Sequence, residues 1–151
     1  DNGDGTVTDE ASGLMWASAD SGEGMDWESA LEFAVAANEE SYLGYSDWRV
    51  PDVKELQSIV DYSGSYPAID GDFFTITDED SHFWTSTSAY FSPQNPGYYY
   101  AWYVAFGYAV DGEGNDSHGA GAVRFDTKAE GGPAGEEPER IYNYVRLVRD
   151  A

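Results

Sequence analysis

The sequence contains no cysteine and few basic residues, and both shortages narrow what the protein can be. Without cysteine it forms no disulfide bond and no thiolate metal site, and it has no cysteine nucleophile. It contains no run of about 18 or more apolar residues, so no membrane-spanning helix is predicted. We also expect no signal peptide within it, because no basic-then-apolar leader is present.

Acidic residues dominate the charge. Seven lysines and arginines stand against 29 aspartates and glutamates, which gives a net charge of −22. A surface this negative repels phosphate backbones and anionic lipids, so we predict no nucleic-acid partner and no membrane insertion. Solubility or a saline habitat is the simpler explanation of this charge. Binding of calcium or of a cationic ligand is the alternative.

The opening stretch DNGDGTVTDE has the oxygen-rich composition of a calcium-binding EF-hand loop but not its register. With Gly5 as the sixth loop residue, the first ligand would precede Asp1 and the twelfth would be Ala11, where an EF-hand requires glutamate. Asn-Gly and Asp-Gly favour tight turns, and TVTD alternates like a strand. We therefore predict a turn that leads into the first strand.

Two amphipathic helices are predicted within a single domain of residues 1–151. The first, in MDWESALEFAVAAN, follows Asp26 as its N-cap. Its apolar row consists of Trp27, Leu31 and Val35, with Ala30 and Ala34 beside them. The second, in VPDVKELQSIVDYSG, begins with the capping-box pair Asp52 and Glu55, and Gly64 is expected to end it.

Most of the remaining sequence has the pattern of strands and loops. Strands are predicted at residues 6–8, 14–17, 83–86, 101–106, 122–125 and 141–148. In AWYVAF the alternation turns Tyr103 toward solvent and its neighbours toward the core. In the closing IYNYVRLVR, Val145 and Leu147 share one face, and Tyr144 and Arg146 share the other. Strands, two helices and further strands in this order predict an α+β fold rather than alternating βαβ units.

Tyrosine-rich loops are the best candidates for a binding surface. Aromatic residues make up 16% of the chain, and several lie in SAYFSPQNPGYYY, ahead of the polar stretch GNDSHGAGA. Tyrosine offers a large contact area at a small entropic cost. Ordinary loop composition with core aromatics is the alternative. The predicted ligand-binding residues are Tyr90, Phe91, Asn95, Tyr98, Tyr99, Tyr100, Tyr103, Tyr108, Asp111, Asn115, Asp116, Ser117 and His118.

Catalytic and metal signals are weak. His82 and His118 are the only histidines, and neither lies in a nucleophile-elbow context, so we predict no enzyme and no catalytic residue. A hydrolase that uses two carboxylates is an alternative, but no pair stands out among 29 acids. The stretch IDGDFFTITDEDS gathers oxygen ligands that suit calcium, which leaves a structural calcium ion possible; no other cofactor is predicted.

Three stretches together resemble the C-terminal domain of bacterial collagen-like adhesins. They are DNGDGTVTDEASGLMW, GYSDWRVPDVKELQSIVDYS and the closing AWYVAF…YVRLVR, and the resemblance runs from Asp1 to Arg149. It implies a C-type lectin-like fold with two helices and with paired first and last strands. It also implies an extracellular, cell-surface or virion-displayed protein whose partner is a protein or glycan on a cell surface.

The same fold is the scaffold of variable proteins that retroelements diversify. That likeness implies a non-enzymatic receptor-binding protein whose loops from about residue 90 to 122 form a diversified ligand face. An adhesin-type carbohydrate-binding domain of fixed specificity is the alternative. The oligomeric state stays open, although collagen-linked relatives suggest trimers.

Two departures from the family affect what the resemblance implies. Related domains usually carry a cysteine in the first helix and another in the closing motif, at positions that are here Ala37 or Asn38, and Leu147. An apolar contact would then take the place of a disulfide. The adhesins are also associated with sulfated polysaccharides, a ligand class that the charge of −22 disfavours.

Overall fold

The computed structural model describes residues 1–64, 66–89, 99–108, 115–116, 119–129 and 141–151. Within these ranges the chain forms two α-helices and two three-stranded antiparallel sheets, which confirms the predicted α+β class. The strands are β1 (Thr6–Asp9), β2 (Leu14–Ala17), β3 (His82–Ala89), β4 (Tyr100–Ala105), β5 (Val123–Thr127) and β6 (Val148–Asp150). The helices are α1 (Trp27–Glu39) and α2 (Val53–Ser58), with a short 3-10 turn at Tyr42–Gly44 between them.

The opening turn is held by its own carboxylates, as the turn interpretation predicts. Asp4 accepts hydrogen bonds from the backbone N–H and the hydroxyl of Thr6, at 3.0 and 2.6 Å. Asp1 accepts from the backbone N–H of Gly3. Gly3 and Gly5 have the positive φ angles that L side chains rarely adopt. These bonds lead directly into β1, which pairs with β2 as an antiparallel hairpin.

The two ends of the chain share one sheet, whose strand order is β1-β2-β6. The last strand pairs with β2, through Leu14 opposite Asp150 and Trp16 opposite Val148. The first and last strands therefore belong to one sheet, as the resemblance implied, but they do not pair with each other, because β2 lies between them. Trp16 and Val148 belong to the same buried cluster as Leu56 of α2, which packs this sheet onto the core.

The second sheet, of order β3-β4-β5, is covered on both faces. On one face Trp84 and Tyr103 pack in a cluster with the alanines of α1. On the other face Phe83 and Val104 pack with Leu56 of α2. The prediction that β4 turns only one face to the core is therefore wrong. Strands covered on both sides carry apolar residues on both faces, which a two-residue alternation does not reveal.

Helix α1 packs through its alanines and part of the predicted row, since Trp27 and Leu31 are partly buried against the same cluster. Asp26 caps it as predicted, since its carboxylate accepts from the backbone N–H of Ser29 at 2.8 Å. The buried residues of the helix are Ala30, Ala34 and Ala37. Val35 follows the buried Ala34. Because consecutive helix residues point about 100° apart, its side chain turns away from the buried face and is 57% exposed. Ala37 shares a buried cluster with Leu147, as expected if apolar packing takes the place of the relatives' disulfide.

Helix α2 has the predicted capping box but is shorter than predicted. The Asp52 carboxylate accepts from the Glu55 N–H at 2.7 Å, and the Glu55 carboxylate accepts from the Asp52 N–H at 3.0 Å. The helix ends at Ser58 and does not continue to Gly64. Beyond the helix, the Asp61 carboxylate accepts a hydrogen bond from the backbone N–H two residues later in the chain. Local side-chain hydrogen bonds of this kind compete with the backbone hydrogen bonds of a helix.

The closing segment runs between the two sheets instead of forming one long strand. Only Val148–Asp150 is a strand, whereas Asn143 and Tyr144 form single bridges with Met25 and Phe83. The segment therefore divides its backbone hydrogen bonds between neighbours in different parts of the fold. A continuous ladder would require a single neighbouring strand along the whole segment. Of the strand predicted over 141–148, only the last residue therefore lies in a strand, the one that continues to Asp150.

Arg146 departs furthest from the predicted pattern, because its side chain is fully buried. Its Nη1 atom donates to the backbone carbonyls of Ala17 and Ser18, at 3.2 and 2.6 Å. Its Nη2 atom donates to the carbonyl of Thr75 at 2.6 Å. Burial lowers the pKa of Arg146 to about 10, which still leaves it cationic at neutral pH. The guanidinium thus joins the end of β2, the segment before β3 and the closing segment.

We predict that Arg146→Met lowers the free energy of unfolding by about 3–5 kcal/mol, because it removes a buried group that donates to three backbone carbonyls. Urea denaturation followed by tryptophan fluorescence measures the change. Lys54→Met is the matched control, since it removes one cation from an exposed position of α2 and should change stability by about 0.5 kcal/mol at most. Equal, small losses in both variants would contradict the linking role of Arg146.

Candidate ligand-binding surface

The predicted ligand-binding residues differ in exposure, and several of them lie outside the described part of the chain. Tyr99 and Tyr108 are 47% and 46% exposed, Tyr100 is half-buried, and Asn115 and Asp116 are exposed. The residues of the prediction that lie outside the described part are Tyr90, Phe91, Asn95, Tyr98, Asp111, Ser117 and His118.

Tyr103 does not face solvent. It is 4% exposed, and its ring stacks on that of His82 with centroids 4.2 Å apart and planes 4° apart. The strand that carries it lies between β3 and β5, and the alanines of α1 belong to the cluster that covers this face. The prediction of an outward-facing Tyr103 is therefore wrong, and its ring belongs to the core.

The described tyrosines of the predicted loop face lie at two ends of one sheet. Tyr99 precedes β4 and Tyr108 follows it, and six residues of extended strand span about 17 Å. Gly121 lies at the Tyr108 end, because its N–H donates to the carbonyl of Ala105 at 2.7 Å. Residues 99–121 therefore do not form a single surface in the part of the chain that the structure describes.

At the Tyr108 end the structure assembles a group that we call the tyrosine end, defined as Tyr62, Tyr66, Asp80 and Tyr108. The rings of Tyr66 and Tyr108 stack with centroids 4.4 Å apart and planes 27° apart. Tyr66 is 40% exposed and Tyr108 is 46% exposed, so the stack is accessible to a ligand. The Tyr66 hydroxyl donates to Asp80 Oδ1 at 2.7 Å, which fixes the position of the ring.

Close backbone packing supports this stack. A Cβ atom on Gly107 would overlap the carbonyl oxygen of Glu79 and would lie 3.1 Å from the Tyr66 ring. The N–H of Ala68 donates to the carbonyl of Phe106 at 2.6 Å. The chain after α2, the turn before β3 and the end of β4 are therefore held together where the two rings meet.

Tyr62 is fixed beside a second close approach of the backbone. It is 63% exposed, and its hydroxyl accepts from Gln57 Nε2 at 2.9 Å. A Cβ atom on Gly121 would lie 2.8 Å from the Tyr62 ring and 2.9 Å from a methyl group of Val60. Four chain segments thus meet at this end, and each brings backbone or aromatic atoms into contact with another.

The tyrosine end carries negative charge. Asp78, Glu79 and Asp80 are all exposed in the turn before β3, and none of them forms an ion pair with the basic side chains of the described ranges. The hydrogen bond to Asp80 is the largest cause that raises the pKa of Tyr66 to about 12. Tyr66 therefore remains a neutral hydrogen-bond donor throughout the physiological pH range.

The opposite end of the sheet already contains a cation of its own. Lys128 Nζ lies 4.0 Å from the centroid of the Trp27 ring and donates to Ser88 Oγ at 2.7 Å. The Lys128 N–H donates to the carbonyl of Tyr99 at 2.8 Å. Burial lowers the pKa of Lys128. The exposed Tyr99 thus adjoins a satisfied lysine, whereas Tyr108 adjoins carboxylates.

Sequence reasoning missed Tyr62 and Tyr66, because they lie before the loop that was expected to bind ligand. In the stretch DYSGSYP, the predicted second helix takes in Tyr62 and ends at Gly64, and no role is predicted for Tyr66. The serines, glycine and proline of this stretch are a signal of an exposed turn, and two tyrosines in such a turn could have been recognised as candidates.

A buried polar cluster lies around His82, which is the first residue of β3. Its Nδ1 atom lies 3.8 Å from Asp126 Oδ2, which also accepts from Asn143 Nδ2 at 3.0 Å. Its Nε2 atom has no hydrogen-bond partner among the described residues, so it activates no hydroxyl group there. The geometry fits a structural role in packing β3 against β5.

The stretch considered for calcium uses its carboxylates locally. Asp70 and Asp78 each accept from the backbone N–H two residues on, at 2.9 and 3.0 Å. Within the described ranges, no three histidine or carboxylate side chains converge in a way that could hold a metal ion. Neither is there a helix in those ranges that combines the length and the apolar character needed to cross a membrane.

Two helices packed with two small antiparallel sheets, one of which joins the ends of the chain, define a C-type lectin-like α+β domain. The family model of the Lcl C-terminal domain matches residues 5–149, and the chain belongs to this family. No curated protein and no solved structure matches it. Membership agrees with the resemblance to adhesin domains and indicates an adhesin-like, ligand-binding domain.

We predict that Gly107→Ala destabilises the protein by about 1–3 kcal/mol, because the new methyl group must displace the Glu79 carbonyl. Gly71→Ala is the matched control, since nothing lies within 4 Å of a Cβ atom there. Chemical denaturation of both variants gives the two free energies of unfolding. If Gly107→Ala is as stable as Gly71→Ala, the close approach that supports the stack does not exist.

Proposed function

We propose that the protein is a non-enzymatic, extracellular recognition domain that binds a protein or glycan on a cell surface through the tyrosine end. The observation that carries this proposal is the exposed Tyr66–Tyr108 stack, which the Asp80 hydrogen bond and the Gly107 contact hold in place. Rigid, accessible tyrosines lose little entropy when they bind. Display on a cell surface or a virion accords with membership of an adhesin-like family.

The charge of the tyrosine end narrows the class of partner. Asp78, Glu79 and Asp80 repel sulfated polysaccharides, nucleic acids and other polyanions. Neutral sugars and cationic groups fit better, because an aromatic face packs against the C–H groups of a sugar and attracts a cation. The second form of this proposal is an adhesin-type carbohydrate-binding domain of fixed specificity. Exposed stacked tyrosines suit a sugar ligand as well as they suit a protein ligand.

The finer version is a receptor-binding protein whose loops are diversified by a retroelement. Sequencing this locus deeply across a natural population tests it. The expected result is substitution concentrated at adenines in the codons from about 90 to 122, with the closing strand unchanged. Sparse, even variation would overturn diversification and leave the fixed-specificity form of the proposal in place.

We predict that Tyr66→Ala combined with Tyr108→Ala abolishes binding to intact cells and to a glycan array, because both faces of the stack are lost. Fluorescently labelled protein is applied to both, and the bound signal is measured. Tyr99→Ala and Tyr142→Ala are the controls, since these side chains are 47% and 50% exposed but lie outside the tyrosine end. Their binding should equal that of the unmodified protein.

Two results would separate the alternatives. A single sharp class of sugar on the array, lost with the double substitution, supports fixed carbohydrate recognition. Cell binding without any array signal supports a protein partner. If the double variant binds as well as the unmodified protein, the tyrosine end is not the ligand site.

A further inference from the structure

The fold already contains one complete binding arrangement for a guanidinium group. The guanidinium carbon of Arg149 lies 4.0 Å from the centroid of the Tyr45 ring. Its Nε and Nη2 atoms donate to the two carboxylate oxygens of Asp47, at 2.6 and 3.1 Å. The hydrogen bonds from Arg149 lower the pKa of Asp47. A tyrosine face and an adjacent carboxylate together therefore bind arginine in this protein.

The tyrosine end presents the same two groups. Asp80 receives the Tyr66 hydroxyl on Oδ1, and its Oδ2 atom has no partner within the described ranges. Tyr66 and Tyr108 each cover one face of the other, and 40% and 46% of their surface remains exposed to a ligand. In the Tyr45 arrangement an arginine of the chain itself provides the cation. At the tyrosine end no basic residue of the described ranges does so.

Resting on the function proposed above, we propose that the tyrosine end binds an arginine side chain in an exposed segment of a partner protein. The guanidinium plane stacks on the outer face of the Tyr66–Tyr108 pair, and its N–H groups donate to Asp80 and to the carboxylate of Glu79. Aromatic faces attract cations, and the planar guanidinium stacks and forms paired hydrogen bonds as an ammonium group does not.

The chemistry favours a protein partner over a glycan. Sugars with nitrogen substituents on cell surfaces are mainly acylated, so they carry no positive charge at that position. Acidic sugars add negative charge, which the net charge of −22 repels. Arginine-bearing segments of proteins supply the complementary charge, and the planar group matches a stacked aromatic surface.

The test uses the whole domain and a fluorescein-labelled peptide of alternating arginine and glycine, followed by fluorescence anisotropy at about 150 mM salt, where long-range attraction is screened. The comparison peptide carries citrulline, which keeps the planar shape but has no charge. We expect the arginine peptide to bind at least tenfold more tightly than the citrulline peptide. A lysine peptide should bind with intermediate affinity.

Matched variants locate the site. Asp80→Asn keeps an acceptor for the Tyr66 hydroxyl but removes the charge, and Tyr108→Leu keeps an apolar side chain but removes the aromatic face. Each should weaken arginine-peptide binding about threefold, and together about tenfold. Glu32→Gln, an equal charge change on the exposed side of α1, and Tyr99→Leu should change it less than twofold. Thermal unfolding of each variant confirms that the fold is retained.

Equal binding of the citrulline peptide, or equal weakening by Glu32→Gln and Asp80→Asn, would overturn the proposal, since binding would then reflect shape or overall charge. The cell-binding experiment distinguishes failure of the arginine assignment from failure of the proposed recognition function. If cell binding requires Tyr66 and Tyr108 but the domain does not prefer arginine, the recognition function stands and the arginine assignment is wrong. If cell binding ignores both tyrosines, the recognition function at this end fails as well.

Discussion

A buried guanidinium that pairs with no carboxylate among the described residues is the constraint on which this fold depends. Arg146 satisfies three backbone carbonyls from segments that are 71 to 129 residues away in sequence. The carbonyls of Ala17 and Thr75 depend most on this donor, because the Ser18 carbonyl also accepts from the Thr75 N–H and an unpaired buried carbonyl is costly. The closing segment therefore links the terminal sheet to the β3-β4-β5 sheet.

The double covering of the β3-β4-β5 sheet decides where recognition can occur. Because α1 packs on one face and α2 on the other, the middle strand presents few side chains to solvent. Tyr103 is buried because helix α1 covers the face of β4 on which it lies. Exposed aromatics instead emerge where strands end, and Tyr108 meets Tyr66 at such a place. The scaffold thus restricts a binding surface to its loops, where rigid packing from below can still orient side chains.

The few basic residues are largely engaged within the protein itself. Arg49 pairs with Glu55 and Asp150, Arg149 pairs with Asp47, and Lys128 lies on the Trp27 ring. These side chains neutralise or contact other parts of the protein and do not pair with the acidic turn at Asp78–Asp80. The turn therefore keeps its negative potential. In a protein of net charge −22, this distribution selects for cationic or neutral ligands and against polyanions.

By itself the sequence determined the features that depend on neighbouring residues. These are the opening turn, the Asp26 N-cap and the Asp52–Glu55 capping box, because their hydrogen bonds are local. The order of the predicted strands and helices determined the α+β class, and the family-specific stretches implied that the first and last strands come together. Only the tertiary structure decided that Val35 is exposed, that Tyr103 and Arg146 are buried, and that Tyr99 and Tyr108 lie apart. Those outcomes depend on which elements pack on each face, and the tyrosine end exists because Tyr66 and Tyr108, 42 positions apart in sequence, meet across two close backbone contacts.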